Sequence, residues 1–216
     1  MIDLHTHTFF SDGVLSPSEL VYRARKRGYT AIAITDHVDR SNMDFVIPRI
    51  AKLAKILTES YGILVLPGAE LTYVPPNLVR EASYECRKLG AKVVVAHGET
   101  IEEVVPEGTN LAAVEAKVDI LAHPGHLSDE TAVLAAKNNV KIEITTKEKH
   151  SVTNKEVAKV ALKNKAKLVI NTDAHEPEHF LTKKLIIEVL SDAGLSADFF
   201  GEMQKNSLEI VNKGDL

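Results

Sequence analysis

The sequence predicts an α/β fold, a closed TIM-like (β/α) barrel of seven units, on three observations. Seven short apolar runs rich in β-branched residues alternate with helix-like segments, the signature of a parallel sheet. No linker or low-complexity stretch divides the 216 residues, so one domain over 1–216 with a substantial core is expected. Histidines and carboxylates recur where the strand runs end, and barrels gather their active sites at the C-terminal ends of strands. An open doubly wound sheet has a single switch-point crevice and would not bring residues of six strands together.

Strands are expected over 2–5, 31–35, 63–67, 92–96, 120–122, 141–145 and 168–171. Between the first two, Ser16-Pro17-Ser18-Glu19 reads as an N-cap, a proline at the first helical position and an acidic first turn. The helix should run to Arg27 and stop at Gly28. A longer helix is expected over 43–61 before Gly62, with Pro48 near its first turn, and another over 77–89 before Gly90. Further helices are expected over 109–117 from a capping-type Thr109, and over 128–138, 153–164 and 181–193. Gly194 ends the last of these, and a short helix follows from Ser196.

Composition excludes some partners. Hydrophobic residues at 44%, charged residues at 26% and a net charge of -4 describe an ordinary globular chain. Without a basic run there is no footprint for bulk phosphate neutralisation, and with no Trp there is little stacking surface, so nucleic acid is not the expected partner. No apolar stretch is long enough to span a bilayer, and Met1-Ile2-Asp3-Leu4 is not a signal h-region, so no membrane association and a cytoplasmic location are expected. Cys86, the single cysteine, allows no internal disulfide and falls in a helical pattern as packing.

The candidate ligands are His5, His7, Asp12, His37, Glu70, His97, His123, Asp173 and His175. His5 and His7 are two apart on a strand and point the same way. One histidine alone reads as a hydrogen-bonded core or rim residue. Nine ligand-type residues at equivalent strand ends read as a metal site, and imidazole with carboxylate suits Zn, Mn or Fe. Lys147, Lys149 and His150 follow the sixth run and are expected on the rim, where one of them binds substrate phosphate or protonates the leaving group, unless the loop is simply solvated. His126 could reach the cleft, whereas His179 is expected at the surface. The 98–110 segment reads as a long polar loop at the active face, with Glu99, Glu102, Glu103 and Glu107 solvated.

These residues also carry a resemblance. Asp3-Leu4-His5-Thr6-His7-Thr8 with Ser11-Asp12-Gly13, Thr35-Asp36-His37, Pro67-Gly68-Ala69-Glu70, His97, Ala122-His123-Pro124 and Thr172-Asp173-Ala174-His175 resemble the successive motifs of the PHP (polymerase and histidinol phosphatase) superfamily. Metal barrels of the TatD and amidohydrolase kinds also open on His-x-His, but the Asp36-His37 pair and the Asp173-Ala174-His175 ending favour PHP. The resemblance implies a distorted (β/α)7 barrel with up to three divalent ions, Zn, Mn or Fe. It implies one metal on His5, His7, Glu70 and Asp173, and a second bridged by Glu70 and held by His97 and His123. A third falls to Asp12, His37 and His175, where some members have histidine in place of Asp12.

Three divalent ions against three carboxylates would leave a positive centre that attracts phosphate. The expected catalytic set is therefore Glu70 and Asp173 at the metals, Asp36 orienting a ligand or capping a turn, and His150 as a proton donor. The function expected is hydrolysis of a small phosphate monoester, histidinol-phosphate-like substrates included, releasing inorganic phosphate. A nuclease acting on nucleic-acid ends and a non-catalytic metal-binding module are the rivals.

Overall fold

The computed structural model describes residues 1–213. The parallel sheet is built from β1 (Ile2–Asp3), β2 (Ala31–Ile34), β3 (His37–Val38), β4 (Leu64–Leu71), β5 (Val93–His97), β6 (Ile120–Ala122), β7 (Lys141–Thr145) and β8 (Leu168–Asn171). Helices α1 (Pro17–Lys26), α2 (Met43–Tyr61), α3 (Val79–Lys88), α4 (Thr109–Glu115), α5 (Asp129–Asn138), α6 (Asn154–Lys163), α7 (Lys183–Asp192) and α8 (Phe199–Lys213) cover it. β2 and β3 both pair with β4, at 64–67 and 70–71, so the eight strand segments occupy seven barrel positions. This is a nearly closed, distorted (β/α)7 barrel.

Strand periodicity sorts the core. Alternate residues Ala31, Ala33, Leu66, Val93, Val95, Ile120 and Val169 pack together inside the barrel. Their neighbours Ile32, Ile34, Val65, Val94, Leu121 and Ile170 pack under the helices. The inner set continues toward the C-terminal strand ends as Glu70 and His97, which is how sequence parity aims them inward. Cys86 is buried in the outer core, as expected.

Backbone pairing gives out at the seam between β1 and β8, leaving one parallel bridge, Thr6 with Ala174. Side chains take over there. Asn171 Oδ1 accepts from the Leu4 amide at 2.9 Å, and Asp3 Oδ2 accepts from the Thr172 hydroxyl at 2.6 Å.

Several boundaries differ from the sequence expectation. β4 runs on to Leu71 through Pro67, whose missing N–H is tolerated because its pairing with β2 ends there, at Ile34. Gly68 sits at this break, where a Cβ would lie 2.6 Å from Thr35 Cγ2. Gly108, not Thr109, caps α4, and 3₁₀ turns at Pro76–Leu78 and Glu148–Thr153 precede α3 and α6. The expected short terminal helix is the 15-residue α8. Its apolar stripe is interrupted in sequence by Asn206 and Ser207, both buried, with Asn206 Nδ2 donating to Leu168 O and Ser207 Oγ to Met203 O. α8 closes the N-terminal end of the barrel: Ile210 and Val211 join the inner core, and the Gln204 amide brackets Ile2 N and O. The opposite end is left for chemistry.

Candidate metal centre

All nine candidate ligands converge at the C-terminal end of the barrel. His5 and His123 rings are 5.6 Å apart between centroids, His7 and His37 4.3 Å, His7 and His175 4.2 Å, and His97 and His123 4.5 Å. Glu70, fully buried, stands at the middle. Its Oε2 lies 2.8 Å from His37 Nδ1, 3.2 Å from His5 Nε2 and 3.5 Å from His7 Nε2, while Oε1 faces His123 Nε2 at 3.6 Å. Asp173 Oδ1 lies 3.0 Å from His7 Nε2. Asp12, on an exposed loop, reaches His175 Nε2 at 3.0 Å.

Two of these side chains are delivered by a backbone that ordinarily suits glycine. His123 has φ 26° and Asp173 φ 50°, each just past the end of its strand. Such left-handed residues cost about 1–3 kcal/mol and persist where surrounding structure holds them.

The donor set fits divalent metal. His5 Nε2, both nitrogens of His7, both oxygens of Glu70, His123 Nδ1 and Asp173 Oδ1 are buried with no hydrogen-bond partner among the described residues. They are close to one another yet lack hydrogen-bond geometry. An orphaned buried polar group costs about 1–3 kcal/mol, and a cluster of them is explained by ligands that use their lone pairs. Donor atoms that come within 4.8 Å of one another fall into groups: His5, His7 and Asp173; His7, Asp12, His37 and His175; His97, His123 and His150; and His5, His123 and Glu143.

Charge is finely opposed in the cluster. Burial alone would raise the Glu70 and Asp173 carboxyls, but the facing histidines, His5 foremost, hold both well below the usual range. Burial would lower His5, but Glu70, Glu143 and Asp173 raise it well above its ordinary value. His37 is raised to about 9 against burial, chiefly by Glu70. His7 falls to about 3, through burial and its neighbour His37. A metal needs imidazole lone pairs, so His37, protonated at pH 7.5, must give up a proton, and the carboxylates that raise His5 make it resist losing one. Metal uptake at that pH is expected to release protons, that of His37 among them. Calorimetric titration in buffers of different ionisation enthalpy measures this. The release should diminish as pH rises through about 9, above which His37 is already neutral. Heats independent of buffer at pH 7.5 would refute the assignment.

The structure places the remaining candidates unequally. Asp36 does not touch a ligand: its carboxylate accepts from Thr8 N, Thr8 Oγ1 and Ser11 Oγ at 2.7–2.9 Å. It holds the loop that carries Asp12, so of the two expected roles, orienting a ligand or capping a turn, its hydrogen bonds match the capping one. Lys147 Nζ reaches His175 Nδ1 at 2.7 Å and lies 4.0 Å from Asp173 Oδ2. Lys149 is exposed and lines the cleft. His150, expected on the rim, is buried, its Nε2 4.0 Å from Asp173 Oδ2, because the Glu148–Thr153 turn folds inward. His126 is exposed beside Glu156 and does not line the cleft, whereas His179, expected at the surface, does. Glu103, expected in solvent, approaches His97 Nε2 at 3.7 Å, and Glu99 braces the 98–110 loop by accepting from Asn110 N.

Glu143 was not legible as a site residue. It is fully buried, and its Oε2 lies 2.9 Å from both His5 Nδ1 and Asn171 Nδ2. The available signal was period two: Lys141, Glu143 and Thr145 alternate with Ile142 and Ile144, so the polar set faces the barrel interior.

The cleft above the cluster has a volume of about 740 Å³. Beyond the ligands its wall carries Glu102, Glu103, Glu148, Glu176 and Glu178, against Lys147 and Lys149.

Comparison with known proteins agrees with this geometry. The PHP domain family model matches residues 3–207. An uncharacterized protein of Methanocaldococcus jannaschii is 44% identical over 197 residues, covering 90% of each chain. The DNA polymerase/3'-5' exonuclease PolX of Bacillus subtilis is 28% identical over 195 residues, 82% of this chain but 34% of that protein. Among solved structures, a chain of an archaeal ribonuclease P with mature tRNA superposes with a TM-score of 0.74 at 19% identity, covering 100% of this chain and 91% of its own. The histidinol phosphate phosphatase of Lactococcus lactis, solved with zinc, L-histidinol and phosphate, superposes with a TM-score of 0.63 at 16% identity, covering 90% and 94%. With the family model spanning nearly the whole barrel and the ligand-type residues of its motifs gathered at one end, the chain belongs to the PHP domain family.

Proposed function

We propose that this protein is a metal-dependent hydrolase of a small phosphate monoester. The observation that carries the reading is Glu70, whose two carboxylate oxygens face different histidine groups in a buried cluster of orphaned donors. His5, His7, Asp173 and Glu70 would hold one ion. Glu70, His97 and His123 would hold a second, and Asp12, His37 and His175 a third. Divalent ions there supply Lewis acidity toward phosphoryl oxygens and lower the pKa of water.

The chain's own groups complete the site. Lys147 brings a cation within 4.0 Å of Asp173 Oδ2, placed to bind a phosphoryl oxygen, and Lys149 adds a second cation on the cleft wall. The glutamates of that wall favour a small substrate, since a polyanion would gain little there. The phosphatase of Lactococcus lactis, with phosphate and an amino alcohol bound in the same fold, supports the same class. No helix among the described residues is long and apolar enough to cross a membrane.

A second reading follows from PolX. Its similarity leaves the expected exclusion of nucleic acid without support, and a phosphodiester at a nucleic-acid end presents the same phosphoryl group.

The test is a panel of phosphate monoesters assayed with Mn, Zn and Fe beside labelled oligonucleotides. Monoesterase activity is expected, abolished by chelation and restored by metal. Cys86→Ser should keep near-normal turnover, because burial pushes the Cys86 thiol up to about 12 and no thiolate is present to act. Oligonucleotide cleavage without monoesterase activity would move the assignment to the second reading, and metal binding with neither activity would point to a binding module.

A further inference from the structure

We propose that His150 is a third imidazole ligand of the metal held by His97 and His123; this rests on the reading that the cleft is a metal centre. The three rings are buried together. Centroids of His97 and His123, and of His123 and His150, are each 4.5 Å apart, and those of His97 and His150 are 6.1 Å apart. One nitrogen from each falls within 4.8 Å of the others, the reach across which a single ion draws its donors.

The outer nitrogens are already committed. His97 Nδ1 lies 3.0 Å from Gly98 O, which only accepts, so Nδ1 carries the proton and the Nε2 lone pair is free. His150 Nδ1 lies 3.0 Å from the Thr100 hydroxyl, and its Nε2 turns toward the cluster. Both brackets come from one short stretch, itself closed by Thr100 N donating to Gly98 O at 2.8 Å. That stretch is built for a close approach. A Cβ on Gly98 would stand 2.3 Å from Ala122 O, one residue before His123. Residues 98–100 thus fix two of the rings, and their contact with the end of β6 keeps them against the third. On the other side, the inward 3₁₀ turn has no evident purpose for a solvated basic loop, but it is the fold needed to bring His150 down from the rim.

Three buried imidazoles make a nitrogen-rich donor set of the kind that suits zinc, and such sites disfavour manganese. The site should therefore prefer zinc, and His150 belongs to metal binding, not to proton delivery or phosphate capture.

The experiment uses the full chain, stripped of metal and reloaded with Zn(II) or Co(II), with bound metal counted by elemental analysis and the Co(II) visible spectrum recorded. His150→Ala is expected to lose one metal equivalent, or to bind it more weakly by more than the ~10–100-fold typical of losing an outer-sphere partner. The Co(II) bands should change with it. His150→Gln, which keeps a polar group near Thr100, provides the same readout if the alanine variant does not fold. Wild-type metal content and an unchanged Co(II) spectrum in a folded variant would overturn the inference, even if activity falls. A wild-type protein that takes up no metal would instead defeat the functional reading on which it rests.

Discussion

Glu70→Ala is expected to remove two metal equivalents and nearly all turnover in one step. The residue is fully buried and comes within 3.6 Å of four histidines: Oε2 lies within 3.5 Å of His5, His7 and His37, and Oε1 faces His123 at 3.6 Å. Truncation deprives two ion sites of the shared anion that offsets their charge. It also removes the largest of the carboxylate contributions that raise His5 and His37, so the metal-free variant should bind fewer protons near neutral pH than wild type. A loss of about 10²–10³ in turnover is expected, the scale on which lost electrostatic stabilisation of a developing charge is felt. Glu70→Gln keeps the volume and removes the charge, so it should share the defect. Elemental analysis decides the point: a variant that retains every metal equivalent would show that Glu70 does not bridge.

Much of this centre was legible because parallel barrels impose a rule that sequence can express. Side chains alternate, strands end at one face, and a His or Glu at the end of an apolar run has one place to go. Glu70 and His97 follow from that parity alone. His123 and Asp173 reach the same place through a left-handed residue, which no periodicity announces; their motifs identified them. His150 lies in a 3₁₀ turn with neither period two nor 3.6, and its inward fold depends on Thr100, fifty positions away. For Asp36 a turn-capping role is legible, but not which turn, since its partners Thr8 and Ser11 come from the first βα loop. The helix α8 was understated for a related reason. Its buried Asn206 and Ser207 are satisfied by neighbouring carbonyls, and a buried, satisfied polar group looks like surface until the structure supplies its partner.

Glu143→Leu is expected to weaken metal binding and the barrel seam together. A carboxylate only accepts, so His5 Nδ1, at 2.9 Å, must carry the proton, which directs the Nε2 lone pair at the cluster. The same oxygen accepts from Asn171 Nδ2, and Asn171 Oδ1 accepts from Leu4 N, so one chain of hydrogen bonds ties β7 to β8 and β8 to β1. It does so where the backbone provides a single bridge. Leucine would strand the His5 and Asn171 donors in a dry interior, at about 1–3 kcal/mol each, and a net loss of about 2–4 kcal/mol of stability is expected. Metal affinity should fall about 10–100-fold, as when the outer partner of a ligating histidine is removed. Asn171→Ala separates the two roles, since it cuts the seam but leaves the pair of His5 and Glu143 intact. It should lose stability in a denaturant titration while keeping near-normal metal affinity. Equal metal affinity in Glu143→Leu and wild type would reduce Glu143 to a structural tie. Equal metal losses in Glu143→Leu and Asn171→Ala would place the effect in the seam and not in the orientation of His5.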